Sequence, residues 1–462
     1  MLLIFHQILT IKKNNNHSII QFSVLKKRNH IQLYSLVMLL TMIAWGFPSV
    51  AQHKNILICD KDNPEEATIC MNPKMPNILV GGANISNYFF SNDTGRTWRS
   101  ESLNSKLGVW GDPCVITDSL GHFYYFHLSN TPGSENAYDR VVCQKSYDKG
   151  ISWNKGSFLG LNNELTQDKP FATIDLKTNN IYITWTQLQE KDINGKAISD
   201  ILFSVSKDEG KTWSKGLKIN QECGTSYEKG KIILGVMPTV GPNGEIYATW
   251  SSEKGIIFDK SLDTGKTWMA EDITIAGFSK PGWSFEIPGV YRCYSFPIIA
   301  CDVSNSEFRG NIYITWFDKK KGKKDTDIWL ARSSDGGKSW TNPQKVNNDS
   351  TAAYQYLPWI SIDQANGNVY LLFYDRREYT DNRTDMYMAR STDGGKTFIN
   401  FKINERTFTP QNSTFMGDYN GIAVYNNIVR PIWTAIDNHS KTSIWTAIIN
   451  TDAIEAEAKD KK

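Results

Sequence analysis

The sequence predicts an all-β chain, a seven-bladed β-propeller of four-stranded antiparallel blades, and three observations predict it. First, the pattern Ser-x-Asp-x-Gly-x-Ser/Thr-Trp/Phe occurs six times, at 91–98, 146–153, 206–213, 261–268, 333–340 and 391–398. Second, the aspartates of these copies (Asp93, Asp148, Asp208, Asp263, Asp335, Asp393) are 55, 60, 55, 72 and 58 residues apart, a period that suits one blade plus its loops and is too long for helical solenoid repeats. Third, between the copies runs a second pattern, an apolar segment led by Pro, a polar turn, then an alternating strand that ends in an aromatic. Seven such inner hairpins can be placed.

Each eight-residue copy is a turn by its own chemistry. The Asp carboxylate accepts backbone amides across the turn, Gly two positions on permits a positive φ, and the Ser/Thr hydroxyl adds a local hydrogen bond. The closing aromatic starts the next strand and offers a large apolar face to a neighbouring sheet. The inner hairpins are 67–82, 113–127, 170–185, 238–250, 297–316, 358–373 and 419–433, the last without a box. The seventh unit shows three strands of its own, ending at 443–449, and the run Asn55–Asp60 is left to supply its fourth. Such closure removes the open sheet edge. Residues 52–450 number 399, or 57 per blade for seven blades and about 66 for the alternative of six.

Residues 1–51 read as an export leader. Lys26, Lys27 and Arg28 precede an apolar run from Leu33 to Val50, and Ser49 and Ala51 are small residues of the cleavage type. Left uncleaved, the same run would serve as a membrane anchor. The leader holds five Lys/Arg and no Asp/Glu, so removing it takes the formal charge from +3 to −2. A near-neutral mature chain, 52–450 as one propeller with a flexible tail at 451–462, gives no electrostatic case for nucleic acid. The expected location is secreted, periplasmic or cell-surface, where some of the seven cysteines could pair. Their spacing shows no zinc pattern.

The repeated motif is the Asp-box, or BNR repeat, and over essentially everything after the leader the chain resembles the sialidase-like Asp-box propellers of the secreted bacterial type. The resemblance implies a glycan partner and a glycosidase of the sialidase-like type acting on an extracellular glycan or glycoprotein. A true sialidase would carry an Arg-Ile-Pro element ahead of its first box and a triad of arginines. The segment 52–98 has no Arg-Ile-Pro, and its one arginine is Arg96, inside the box. The departure argues against sialidase activity itself. Two alternatives remain, a non-catalytic glycan- or protein-binding propeller and a polysaccharide lyase.

Chemistry is expected on the face opposite the box turns, where residues differ from blade to blade. The residue just before the inner-strand Pro position is Glu66, Asp112, Lys169, Met237, Phe296, Leu357 and Asp418 in blades 1 to 7. Blades 7, 1 and 2 adjoin in a closed ring, so three carboxylates should converge at one side of the channel mouth, beside Asp168 and Lys169. Such a group suits a general acid raised by like-charge repulsion, or an oxygen cage for calcium; no other cofactor is implied. Where the second strand ends in an aromatic in blades 3 to 7, including Trp185, Trp250 and Trp316, blade 2 has His127, expected beside Asp112 as a proton-transfer group. Those tryptophans are candidate sugar-stacking residues. Asp375, Arg376 and Arg377, in the loop after the blade 6 aromatic, are candidates to grip an anionic substituent, and Tyr419 is a candidate phenol nucleophile.

Overall fold

The computed structural model describes residues 53–129, 138–162, 164–189, 198–225, 231–280, 282–319, 325–449 and 454. The leader, and all of the tail except Ile454, lie outside the described residues. Among the described residues the chain forms 28 strands in seven four-stranded antiparallel sheets. Six sheets are built in sequence order from the inside outward, and the seventh combines both ends of the chain. In that blade β1 (Lys54–Cys59) pairs antiparallel with β28 (Thr442–Ile448), Lys54 opposite Ile448, so the strand near the N-terminus closes the ring. The propeller has seven blades, not six, because this borrowed strand completes the seventh sheet.

Burial follows position in the blade. A second strand is covered on both faces by neighbouring blades, so Phe123–Leu128 is buried at every residue, whereas the outer strand Arg99–Ser102 is exposed throughout. The six box turns take the expected form. In the fourth, Ser261 Oγ donates to Asp263 Oδ1 at 2.8 Å, the Thr267 amide donates to the same oxygen at 2.9 Å, and Thr267 Oγ1 donates to Oδ2 at 2.7 Å. These bonds favour the charged carboxylate and hold its pKa down to about 2. The box tryptophan then wedges against the preceding blade, Trp268 on Phe203 with ring centroids 5.2 Å apart and Trp340 on Phe258 at 5.0 Å.

Gly265 shows why the box needs glycine: its φ is +85°, and a Cβ there would lie 2.1 Å from Phe203 Cε1. Gly265→Ala is therefore expected to destabilise the fold by about 2–4 kcal/mol, combining left-handed strain with an overpacked blade interface. Urea unfolding of the purified variant measures it, and a change within about 0.5 kcal/mol would remove the box from the inter-blade interface.

All seven cysteines are unpaired, and five of them are buried as small apolar side chains. The disulfides considered from the sequence do not form. The central channel is apolar on the box side, with a cavity of about 670 Å³ bordered by Ile69, Ala172, Met237, Ile298, Ile360 and Ile422. No described helix is long and apolar enough to cross a membrane.

Candidate functional site

The innermost strand of several blades is broken at the mouth opposite the box turns. Glu66, Asp112, Lys169 and Leu357 all have left-handed backbone conformation, with φ of 57°, 51°, 47° and 49°. The pairing of β10 (Thr166–Ile174) slips between Asp168 and Phe171, and β22 (Gln355–Ile362) slips likewise between Tyr356 and Trp359. Left-handed backbone costs roughly 1 kcal/mol for a residue with a Cβ, and such outliers concentrate at functional sites. Here the bend lifts each side chain out of the strand's alternation and into the channel mouth.

Lys169 occupies the centre of the cluster. Its Nζ lies 2.6 Å from Glu66 Oε1, 3.1 Å from Asp112 Oδ1 and 3.3 Å from Asp418 Oδ2, and its backbone amide donates to Asp112 Oδ2 at 3.2 Å. Arg292 clamps Asp418 from the other side, Nε to Oδ1 at 3.1 Å and Nη2 to Oδ2 at 2.7 Å. Asn84 ties two blades together: its Nδ2 donates to Glu66 Oε2 at 2.9 Å, and its Oδ1 accepts the Asp112 amide at 2.7 Å. This approach requires glycine at 111, where φ is +85° and a Cβ would lie 2.4 Å from Asn84 Oδ1.

Two further carboxyls stand on the accessible side. Asp168, half-buried, donates a hydrogen bond to Asp112, and Glu65 Oε1 lies 3.5 Å from Asn84 Nδ2. Five carboxyls thus share two cations, an excess that burial does not tolerate unless protons are kept. Burial and the neighbouring Asp112 charge push Asp168 up to about 8, and burial pushes Glu65 up to about 7. Burial also raises Glu66 well above its ordinary range against the pull of Lys169. Burial opposes ionisation of Asp112 too, yet Lys169 and the hydrogen bonds from Glu66 and Asp168 hold its pKa below the usual carboxylate range. Protons retained on Glu66 and Asp168 relieve part of this excess.

This sets a pH dependence of stability. Asp168 keeps its proton in the folded state up to about 8 and loses it near 3.8 when unfolded, so its contribution is full below pH 4 and is lost as pH rises through 8. His53 and His127, lowered by burial to about 4 from 6.5, act in the opposite sense between those values and are silent above 6.5. The melting temperature is therefore expected to fall between pH 6.5 and 8.5, and Asp168→Asn to flatten that decline. A slope unchanged in the variant would show that Asp168 is ionised throughout.

The remaining candidates fall elsewhere. His127 is fully buried, its Nδ1 2.8 Å from the Leu128 carbonyl and its Nε2 3.2 Å from Gln144 Oε1. It does not meet Asp112, because β6 (Cys114–Thr117) places Phe126 opposite Cys114 and the bent Asp112 has left the hairpin plane. Trp185, Trp250 and Trp316 are core residues between blades rather than a rim, and Trp185 Nε1 donates to Gln167 Oε1 at 2.7 Å. Asp375 is buried and paired with Arg377 at 2.7 Å; Arg376 is buried with its guanidinium on Thr384 Oγ1 and the Pro288 carbonyl. None of these three reaches the cluster residues by a hydrogen bond or ion pair. Tyr419 lies beneath the cluster, its hydroxyl donating to the Pro113 carbonyl at 3.3 Å and its ring edge-on to Phe171. A calcium ion does not fit among these carboxylates, because the Lys169 ammonium already stands where it would bind.

Sequence reasoning missed Glu65, Asn84 and Trp110. Glu65 directly precedes Glu66 and was open to the same inspection, but Asn84 and Arg292 come from segments outside the repeat pattern and carry no register signal.

The fold and its mouth define the class as a seven-bladed propeller with a polarised ionisable channel entrance. No family model matches the chain, and no curated protein does. Among solved structures, the chain is similar to a polysaccharide lyase of a new family, an ulvan lyase, at 12% identity and TM-score 0.50, over 87% of this chain and 99% of that one. It is also similar to a Hadza microbial sialidase (14% identity, TM-score 0.43, 81% and 74% covered) and to an α-L-arabinofuranosidase of Fusarium graminearum (11%, 0.48, 74% and 93%). At these identities the ulvan lyase likeness bears on fold alone.

Proposed function

We propose that the protein is a secreted or cell-surface glycoside hydrolase acting on an extracellular glycan at the channel mouth, with Asp168 as general acid and Glu65 as general base. The observation that carries this is the contact of the half-buried Asp168 carboxyl with the buried Asp112, on the accessible side of the Lys169 cluster. Asp168 gives its proton to the glycosidic oxygen as the C–O bond breaks, and Glu65 takes one from the incoming water. Asp112, Glu66, Asp418 and Lys169 fix the local charge and do not leave their partners. The buried setting of His127 removes the residue that a lyase reading would use as base.

A second reading, glycan binding without cleavage, is favoured by the saturation of Lys169 and Arg292, which stopper the channel. Release of reducing sugar from a panel of neutral, sialylated, sulfated and uronate-containing glycans separates the two. Turnover that is lost in both Asp168→Asn and Glu65→Gln supports hydrolysis. An unsaturated uronate product, or folded protein with no turnover on any glycan, overturns it.

A further inference from the structure

Two exposed aromatic side chains adjoin the cluster through different residues, Trp110 through Asp112 and Tyr291 through Arg292. Trp110 precedes Asp112 by two residues and is 38% exposed; its backbone amide donates to the Leu128 carbonyl at 3.0 Å, while Gly111 accepts the Leu128 amide at 3.0 Å. Its ring rests edge-on against Tyr138 at 5.8 Å. Tyr291 precedes Arg292 and is 58% exposed, and its ring meets Phe415 at 6.1 Å. Arg292 stacks over that same Phe415 ring at 4.2 Å while it holds Asp418. The contacts thus run from Asp112, two residues after Trp110, through Lys169 and Asp418 to Arg292, which follows Tyr291.

Next to Tyr291 lies a cavity of about 580 Å³, edged by Arg292, Tyr294, Lys319, Tyr354 and Asn412. That is room for one or two sugar rings, and its donors and acceptors suit hydroxyl groups. The exposed part of each ring offers an apolar face of the kind that stacks on a pyranose ring.

We infer that the mouth binds an internal stretch of a polysaccharide chain, with Trp110 and Tyr291 as stacking subsites beside the carboxyl cluster. The inference rests on the reading of the mouth as a glycan site and adds that the site is open at both ends, so that the chain is held across the cluster rather than by its terminus. An occupant that engages both rings also meets the cluster from Asp112 to Arg292, which suits several linked sugars.

Affinity electrophoresis through gels cast with soluble xylan, arabinan, polygalacturonate or chondroitin sulfate tests it without requiring turnover. The wild-type chain is expected to be retarded by at least one polymer. Trp110→Ala and Tyr291→Ala should each weaken the apparent affinity about tenfold at unchanged melting temperature, whereas Trp110→Phe and Asp168→Asn should retain it. No retardation by any of the four polymers, or retardation untouched in both folded alanine variants, overturns the inference. Ring-dependent retardation with no product from any polymer would sink the acid–base assignment and leave this inference standing; turnover indifferent to both rings would do the reverse.

Discussion

Lys169→Met is expected to destabilise the protein by about 3–5 kcal/mol, the largest effect of any substitution at the mouth. The ammonium is fully buried and stands against Glu66, Asp112 and Asp418, so removing it leaves like charges in a low-dielectric site with Arg292 alone to oppose them. The three carboxyls belong to blades 1, 2 and 7 and Lys169 to blade 3, so the loss should be felt across the ring closure and not within one sheet. Urea unfolding at pH 7 measures it, and the cost should shrink at pH 5, where protonation relieves part of the repulsion. The double variant Lys169→Met, Asp112→Asn should recover a portion of the lost stability, since one uncompensated carboxylate is then gone. A single variant as stable as wild type would mean that the cluster is held apart by other contacts and that Lys169 is not its centre.

Asp168→Asn is expected to reduce glycan turnover by about 10²–10⁴-fold with the fold intact, the usual contribution of a positioned general acid. Asparagine keeps the shape and one donor but cannot deliver a proton to a leaving oxygen. The wild-type rate should follow a narrow bell in pH. It rises as Glu65 loses its proton through about 7 and falls as Asp168 loses its own through about 8. Because the two values lie close together, only part of the enzyme carries the productive pair of protonation states at any pH, and the maximum sits between them. Asp168→Asn should abolish the alkaline limb and Glu65→Gln the acid limb. A profile unaltered in either variant would move the proton transfers to other groups.

The architecture was legible in the sequence because each blade repeats a local device. Ser261, Asp263, Gly265 and Thr267 are within seven residues of one another, and their hydrogen bonds form whatever surrounds them; the spacing of six such turns then implies the ring. Even the closing strand was readable, because Asn55–Asp60 alternates as a strand with no neighbour left to pair with except the incomplete seventh unit. The convergence of Glu66, Asp112, Lys169 and Asp418 could be reached by register, since all four occupy the same position of the inner strand.

Register failed where the backbone leaves it. His127 is aligned with Asp112 on paper, but the left-handed turn at Asp112 rotates its carboxyl into the channel while His127 stays in the sheet among Tyr125 and Gln144. The tryptophans at 185, 250 and 316 share a polar-looking position at strand ends, and only the approach of the next blade shows them to be buried. Arg292 and Asn84 reach the mouth through irregular segments whose paths no periodicity encodes. The sequence by itself determined the blade, the count of blades and the acidic sector, because these follow from short-range hydrogen bonding and repeat length. Which carboxyls keep a proton, which cation sits among them, and which aromatic faces stay open were decided only by the tertiary structure, because desolvation and charge balance depend on neighbours brought together from the whole ring.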